Sequence, residues 1–159
     1  MTVFDRYLHA ITVRGEHEAR EDRSATIEAH HLLLAIAAEQ ESTTCQALAS
    51  AGLDHQALRE ALDREFEHSL SLVGVSRNAH DVPRPGKALE PPKMGASAKL
   101  ALERSFSSVA RKKELRPAHL LLGILQAQAG TVPRALALAG IDPADLALNV
   151  RQTLTDSNE

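Results

Sequence analysis

Eight histidines and one cysteine are the residues of this chain best suited to chemistry. A catalytic zinc site needs ligands at a set helical spacing, and no His-Glu-x-x-His run occurs. Cys45 has no second cysteine with which to build a thiolate site. His30 and His31 are adjacent, so on a helix their side chains leave about 100° apart and are not expected to share an ion. His31 and His119 each open a Leu-Leu-Leu run, which fits a hydrogen-bonded histidine at a helix start. Cys45 lies between Thr44 and Gln46, neither of which is a cation that would favour the thiolate, and is read as a reduced structural thiol. No histidine stands at a spacing that would make it a nucleophilic pair. Gly86-Lys87 is the one Gly-Lys step, yet Asp81 stands where a phosphate loop needs its first glycine. Ala88 replaces the hydroxyl residue that would hold magnesium. The expectation is a protein without catalysis, metal or cofactor.

What the histidines do mark is a duplication. With His31 laid over His119 and no gap, His31-Leu32-Leu33-Leu34 meets His119-Leu120-Leu121-Leu122, and Ala47-Leu48-Ala49 meets Ala135-Leu136-Ala137. Ala51-Gly52-Leu53-Asp54 then meets Ala139-Gly140-Ile141-Asp142, and roughly two in five pairs are identical. Each copy predicts four helices. A first helix over about Phe4–Arg20 carries Phe4, Leu8 and Ile11 on one stripe, with Gly15 as a candidate bend. Its counterpart starts near Ser97, with Leu102, Phe106 and Val109 inward and Arg111-Lys112-Lys113 suited to a helix C-terminus. The second helix, from His31 or His119, is apolar nearly all round and should be central. A short third helix ends at Gly52 or Gly140. Asp54 or Asp142 then caps the fourth, which turns Leu58, Leu62 and Phe66, or Leu146, Val150 and Leu154, inward. The fold class is all-α: a pseudo-twofold tandem repeat of two four-helix units within one domain, 1–159. Repeat one covers about 4–67, a Pro/Gly-rich linker about 68–95, and repeat two about 96–154.

Composition sets the outer limits. The net charge of −3 disfavours nucleic acid and anionic membranes as partners, and 43% apolar with 25% charged residues describes a globular protein. No apolar span is long enough to cross a bilayer, and the N-terminus becomes charged before a signal-peptide core could form. A cytoplasmic monomer is expected. The alternative function is a helix-turn-helix DNA-binding regulator, since Leu48–Asp54 followed by a helix resembles that turn. Its recognition helix would carry Arg59 and Arg64 together with Glu60, Asp63 and Glu65, an acidic balance that phosphates repel.

His-Leu-Leu-Leu, a short helix and Ala-Gly-Leu/Ile-Asp, given twice, resemble the tandem repeat of the Clp-family unfoldase N-terminal domain, here as a stand-alone ClpC-like N-domain. The resemblance implies a protein- or peptide-binding module of the Clp proteolysis system, acting as adaptor, competitor or decoy. Its partners would be a Clp ATPase, its adaptors, substrates, or a cyclic peptide antibiotic. In the ClpC branch a glutamate of Gly-Thr-Glu-His before the second helix helps bind phosphoarginine. Those positions hold His30 and Ala118 here, so that recognition is not carried over. The family's peptide surface near the N-terminal start and the linker points to Phe4, Tyr7, Lys87, Glu90 and Lys93 as partner-binding residues. Two of the four aromatics would serve as anchors rimmed by charge. Phe4 also fits the core stripe with Leu8 and Ile11.

Overall fold

The computed structural model describes residues 1–74 and 90–156. Among these, repeat one forms α1 (Val3–Glu21), α2 (Ala29–Ala38), α3 (Thr43–Ser50) and α4 (His55–Leu72). Repeat two forms α5 (Ala96–Ser107), α6 (Pro117–Leu125), α7 (Thr131–Leu138) and α8 (Pro143–Asp156). Two-residue strands, β1 (Thr26–Ile27) and β2 (Lys93–Met94), pair in parallel just ahead of α2 and α5. No described helix is long and apolar enough to cross a membrane.

Local chemistry sets the boundaries. Thr2 and Asp5 form a capping box at the start of α1, and the Asp54 carboxylate accepts from the Ala57 N–H at 2.8 Å. Gly52 and Gly140 take φ of +79° and +75°, the left-handed turn after α3 and α7. That turn lets Leu53 and Ile141 donate back to the carbonyls of Leu48 and Leu136.

The helices α2 and α6 are the centre of the molecule. Leu32, Leu33 and Leu34, and Leu120, Leu121 and Ile124, are all buried. Within each repeat, α1 packs on α2 and α5 on α6. Between repeats the packing is interleaved: α4 lies against α7, and α3 against α8. Each fourth helix thus covers the third helix of the other copy, and the two units share one core. Glu65, buried on α4, accepts from Arg134 of α7 at 2.9 Å and holds one of these crossings.

Several details depart from the periodicity. Gly15 is not a bend: α1 runs through it, and a Cβ there would lie 3.1 Å from the Leu32 side chain, so glycine serves a close helix approach. On α5 the buried stripe is Ala98, Ala101 and Ser105; Phe106 is 44% exposed, and Val109 lies beyond the helix end. The cations Arg111–Lys113 therefore do not cap α5. Lys112 and Lys113 form a 3-10 turn, Lys112–Glu114, and Lys112 pairs with Asp5 at 3.3 Å. Phe66 is 52% exposed rather than inward. Helix α4 continues to Leu72, past Ser69 where a loop was expected, because no glycine or proline intervenes before Gly74.

Candidate functional site

The duplicated histidines are helix-start devices. The Glu28 N–H donates to His31 Nδ1 at 2.9 Å, and the Arg116 N–H to His119 Nδ1 at 2.9 Å. In neutral His31 the proton then sits on Nε2, which donates to the Asp22 carboxylate at 2.9 Å. Asp22 also accepts from Arg59 at 2.7 Å, and Arg59 reaches Glu18, which pairs with His55 at 2.5 Å. Burial opposes ionisation of Asp22, but the His31 and Arg59 donors outweigh it and hold its pKa below the ordinary value. The second copy lacks this network, since Pro143 and Ala147 stand in place of His55 and Arg59.

His30 and His31 do converge, contrary to the 100° expectation: their ring centroids are 4.0 Å apart. Side-chain rotation brings together what the helical step separates. Ligand atoms of Asp22, His30 and His31 all lie within 4.8 Å of one another. The donor set nonetheless fits an ion poorly. His31 Nδ1 is taken by a backbone N–H, so a metal on Nε2 would require the imidazolate, and both Asp22 oxygens already accept hydrogen bonds. Burial first, and the neighbouring His31 second, push the His30 pKa down to about 4, so it is neutral at pH 7.

Each copy opens a groove beside its capping histidine. The first, about 530 Å³, is lined by His30, His31, Asp63, Glu65 and Phe66 among others. The second, about 500 Å³, is lined by Val109, Lys113, Glu114, Arg116, His119 and Leu154. His31 corresponds to His119 and Phe66 to Leu154, so the grooves are counterparts across the pseudo-twofold.

The residues singled out from sequence separate into an interior and a surface set. Phe4 is 1% exposed and belongs to the core, its ring edge-on to Phe106 at 6.2 Å. The Tyr7 hydroxyl is 3.1 Å from the Thr44 hydroxyl on α3. Glu90 and Lys93 are exposed, Lys93 paired through its backbone beside Thr26. Lys87 lies outside the described residues. The half-exposed aromatic at the start of α1 is therefore Phe106, which periodicity had turned inward. Half of α5 is Ala or Ser, with Ala98 and Ala101 facing in, a signal that its large side chains need not all be buried.

Glu28, two residues before the position that carries the ClpC-branch glutamate, is also engaged. Its carboxylate accepts from Thr26 at 2.8 Å and from the Ser97 N–H at 3.2 Å, while the Ser97 hydroxyl accepts from the Ala29 N–H at 2.8 Å. Each repeat so caps a helix of the other. Burial raises the Glu28 pKa, and the Ser97 and Thr26 donors more than offset this.

A family model described as the Clp repeat (R) N-terminal domain matches residues 4–90. The chain belongs to that family. Clp N-domains are protein-interaction modules of Clp chaperones. The match spans the first repeat, and the second is supported by structural similarity. The crystal structure of the N-terminal domain of the caseinolytic protease associated chaperone ClpD from Arabidopsis thaliana superposes with a TM-score of 0.64 at 18% identity. That similarity covers 92% of this chain and 90% of that one. It shows a shared fold. No curated protein matches the sequence.

The half-buried position of Tyr7 in this Clp N-domain has a direct readout. Burial, as the leading cause, raises its pKa from 10.0 to about 12. It is the single tyrosine and there is no tryptophan, so the tyrosinate absorbance band reports it alone. Titration of the folded protein is expected to show a midpoint near 12. The unfolded chain ionises first as pH rises above 10.0, so stability contributed by the protonated phenol is full below that pH. It declines toward 12, by at most about 3 kcal/mol. A midpoint at the ordinary phenol value would place Tyr7 in solvent.

Proposed function

We propose that this Clp N-domain works without catalysis as an adaptor, competitor or decoy in the Clp proteolysis system. Its ligands are a Clp ATPase, its adaptors or substrates, or a cyclic peptide directed at such domains. The observation that carries this reading is the surface at the start of α1. Phe106 lies half-exposed with its ring against buried Phe4, and the Asp5–Lys112 ion pair bridges α1 to the 3-10 turn. Val3, 76% exposed, adds apolar area next to Phe4 in the chain. An aromatic anchor fixed from below and flanked by charge is what a small binding hot spot requires. Glu90 and Lys93, in the segment before α5 and beside Thr26, stand at the other end of α5 from Phe106 and form a second proposed contact, with Lys87 included on sequence grounds. Phe4 and Tyr7 serve it by holding the helix start in place. The DNA-binding alternative has a turn between α3 and α4, but Arg59 of α4 is committed to Glu18 and Asp22.

The test is calorimetric titration of the purified chain with a purified Clp ATPase, a Clp adaptor and a cyclic peptide that targets Clp N-domains. Binding of at least one is expected, weakened about 30-fold or more by Phe106→Ala, the loss of a hot-spot residue worth about 2 kcal/mol. Absence of all binding, or affinity unchanged in Phe106→Ala, contradicts the proposal.

A further inference from the structure

The caps of α2 and α6 differ from the usual capping box in that their acceptor can be protonated. The third helical position ordinarily holds glutamate or glutamine, whose side-chain oxygen accepts the N–H of the capping residue. His31 and His119 fill that position here and accept through Nδ1. An imidazolium carries a proton on each ring nitrogen and has no acceptor left, so a charged ring must let go of that N–H.

The two rings are not held alike. His31 is buried, and Asp22 accepts from its Nε2 at 2.9 Å. His119 is half-buried, and the Arg116 N–H is its one hydrogen bond among the described residues. The position aligned with Asp22 is Ala110, which has no carboxylate to anchor a ring. His119 instead borders an open groove lined by Val109 after α5, Leu154 of α8, and Lys113, Glu114 and Arg116 of the segment before α6. The Glu114 carboxylate in that lining accepts from the Arg111 N–H at 3.2 Å.

We propose that His119 is a pH-operated latch: protonation turns its ring out of the α6 cap into the groove and releases residues 112–116 from the helix start. That segment carries Lys112, the partner of Asp5 at the start of α1. The latch thereby regulates the docking face, a consequence that rests on the function proposed above. Burial is the leading cause that holds the His119 pKa below the ordinary 6.5. The unfolded chain therefore takes up its proton first as pH falls. The cap's contribution to stability is complete above 6.5 and is lost as pH drops to the lower midpoint of the folded chain.

The test is a nuclear magnetic resonance titration of the isotope-labelled chain alone, from about pH 8 to about 4, across the range in which histidine changes charge. The His119 ring is expected to titrate with a midpoint below 6.5, and the Arg116 and Lys112 amides to move with the same midpoint. In His119→Gln, which keeps an acceptor that stays neutral, the Arg116 amide should hold still over that range. The titration of the native chain is decisive by itself if the variant does not fold. A ring midpoint at or above 6.5, unfolding before the ring titrates, an Arg116 amide that ignores the ring, or equal movement in His119→Gln overturns the latch. A Lys112 amide that stays still while Arg116 moves overturns its link to the docking face. No partner is present, so failure of the latch and failure of the docking face are read separately.

Discussion

Leu33→Ala and Leu121→Ala each lower the free energy of unfolding by roughly 2–5 kcal/mol. Both side chains are at most 1% exposed, at matching positions of α2 and α6. The size of the effect follows from how the two helices are enclosed. α2 touches α1, α3, α4, α5, α6 and α7, and α6 is surrounded in the same way. Truncation removes hydrocarbon contacts, and the neighbours cannot close the space because interleaved packing holds each from the other repeat. Denaturant titration followed by circular dichroism measures the loss, and an unchanged slope confirms that the same surface unfolds. Losses below about 0.5 kcal/mol, the range of surface substitutions, would put α2 and α6 on the outside.

Gly123→Ala is the second large effect, and two principles oppose each other there. Gly123 lies in mid-helix in α6, where alanine is intrinsically favoured by about 1 kcal/mol. A Cβ at this position would lie 2.4 Å from the Ala101 carbonyl oxygen and 2.4 Å from the Ser105 hydroxyl on α5. The carbonyl belongs to a helix backbone and cannot swing away as a side-chain end can. Separation of α5 from α6 would disturb the packing of the two helices, so sterics outweigh propensity. The expected net result is a destabilisation of about 1–3 kcal/mol. Neutral or increased stability in the same denaturant titration would show that α5 and α6 are farther apart. The aligned position in repeat one is Ala35, where a Cβ is already accommodated.

These two sites also divide what the sequence shows from what it hides. The buried Leu-Leu-Leu runs, the Gly52 and Gly140 turns, the Asp54 cap and the capping histidines were legible because each rests on chemistry within a few residues. Periodicity also sufficed for the helix count. The fate of Phe66 and Phe106 was not legible. Periodicity finds a face, but which part of it is covered depends on how far the opposing helix extends. Gly15 reads as a bend in sequence because its role, contact with Leu32 on α2, involves a residue 17 positions away. The Arg111–Lys113 run suited a helix end in one dimension, whereas in space Lys112 meets Asp5 at the other end of the chain's order. The His30–His31 approach depends on rotamers, which a helical wheel does not contain. The pairing of α4 with α7, and of α3 with α8, is long-range and has no local signature.

The candidate site shows the same division. The sequence led to the start of α1 and chose Phe4 and Tyr7, the aromatics nearest the N-terminus. Phe4 is buried and Tyr7 half-buried, while Phe106, about a hundred residues later in the chain, lies half-exposed beside Phe4. The aligned letters pair His31 with His119 and Phe66 with Leu154. That both pairs border counterpart cavities shows only in three dimensions.

In the proposed function a partner docks on the α1-start surface of this Clp N-domain. The most direct measurement is a nuclear magnetic resonance titration of the isotope-labelled chain with whichever Clp ATPase, adaptor or cyclic peptide it binds. The proposal predicts amide shifts concentrated at Val3, Asp5, Phe106 and Lys112, and their loss in Phe106→Ala. Shifts confined to α3 and α7, or saturation with those amides unmoved, would contradict it.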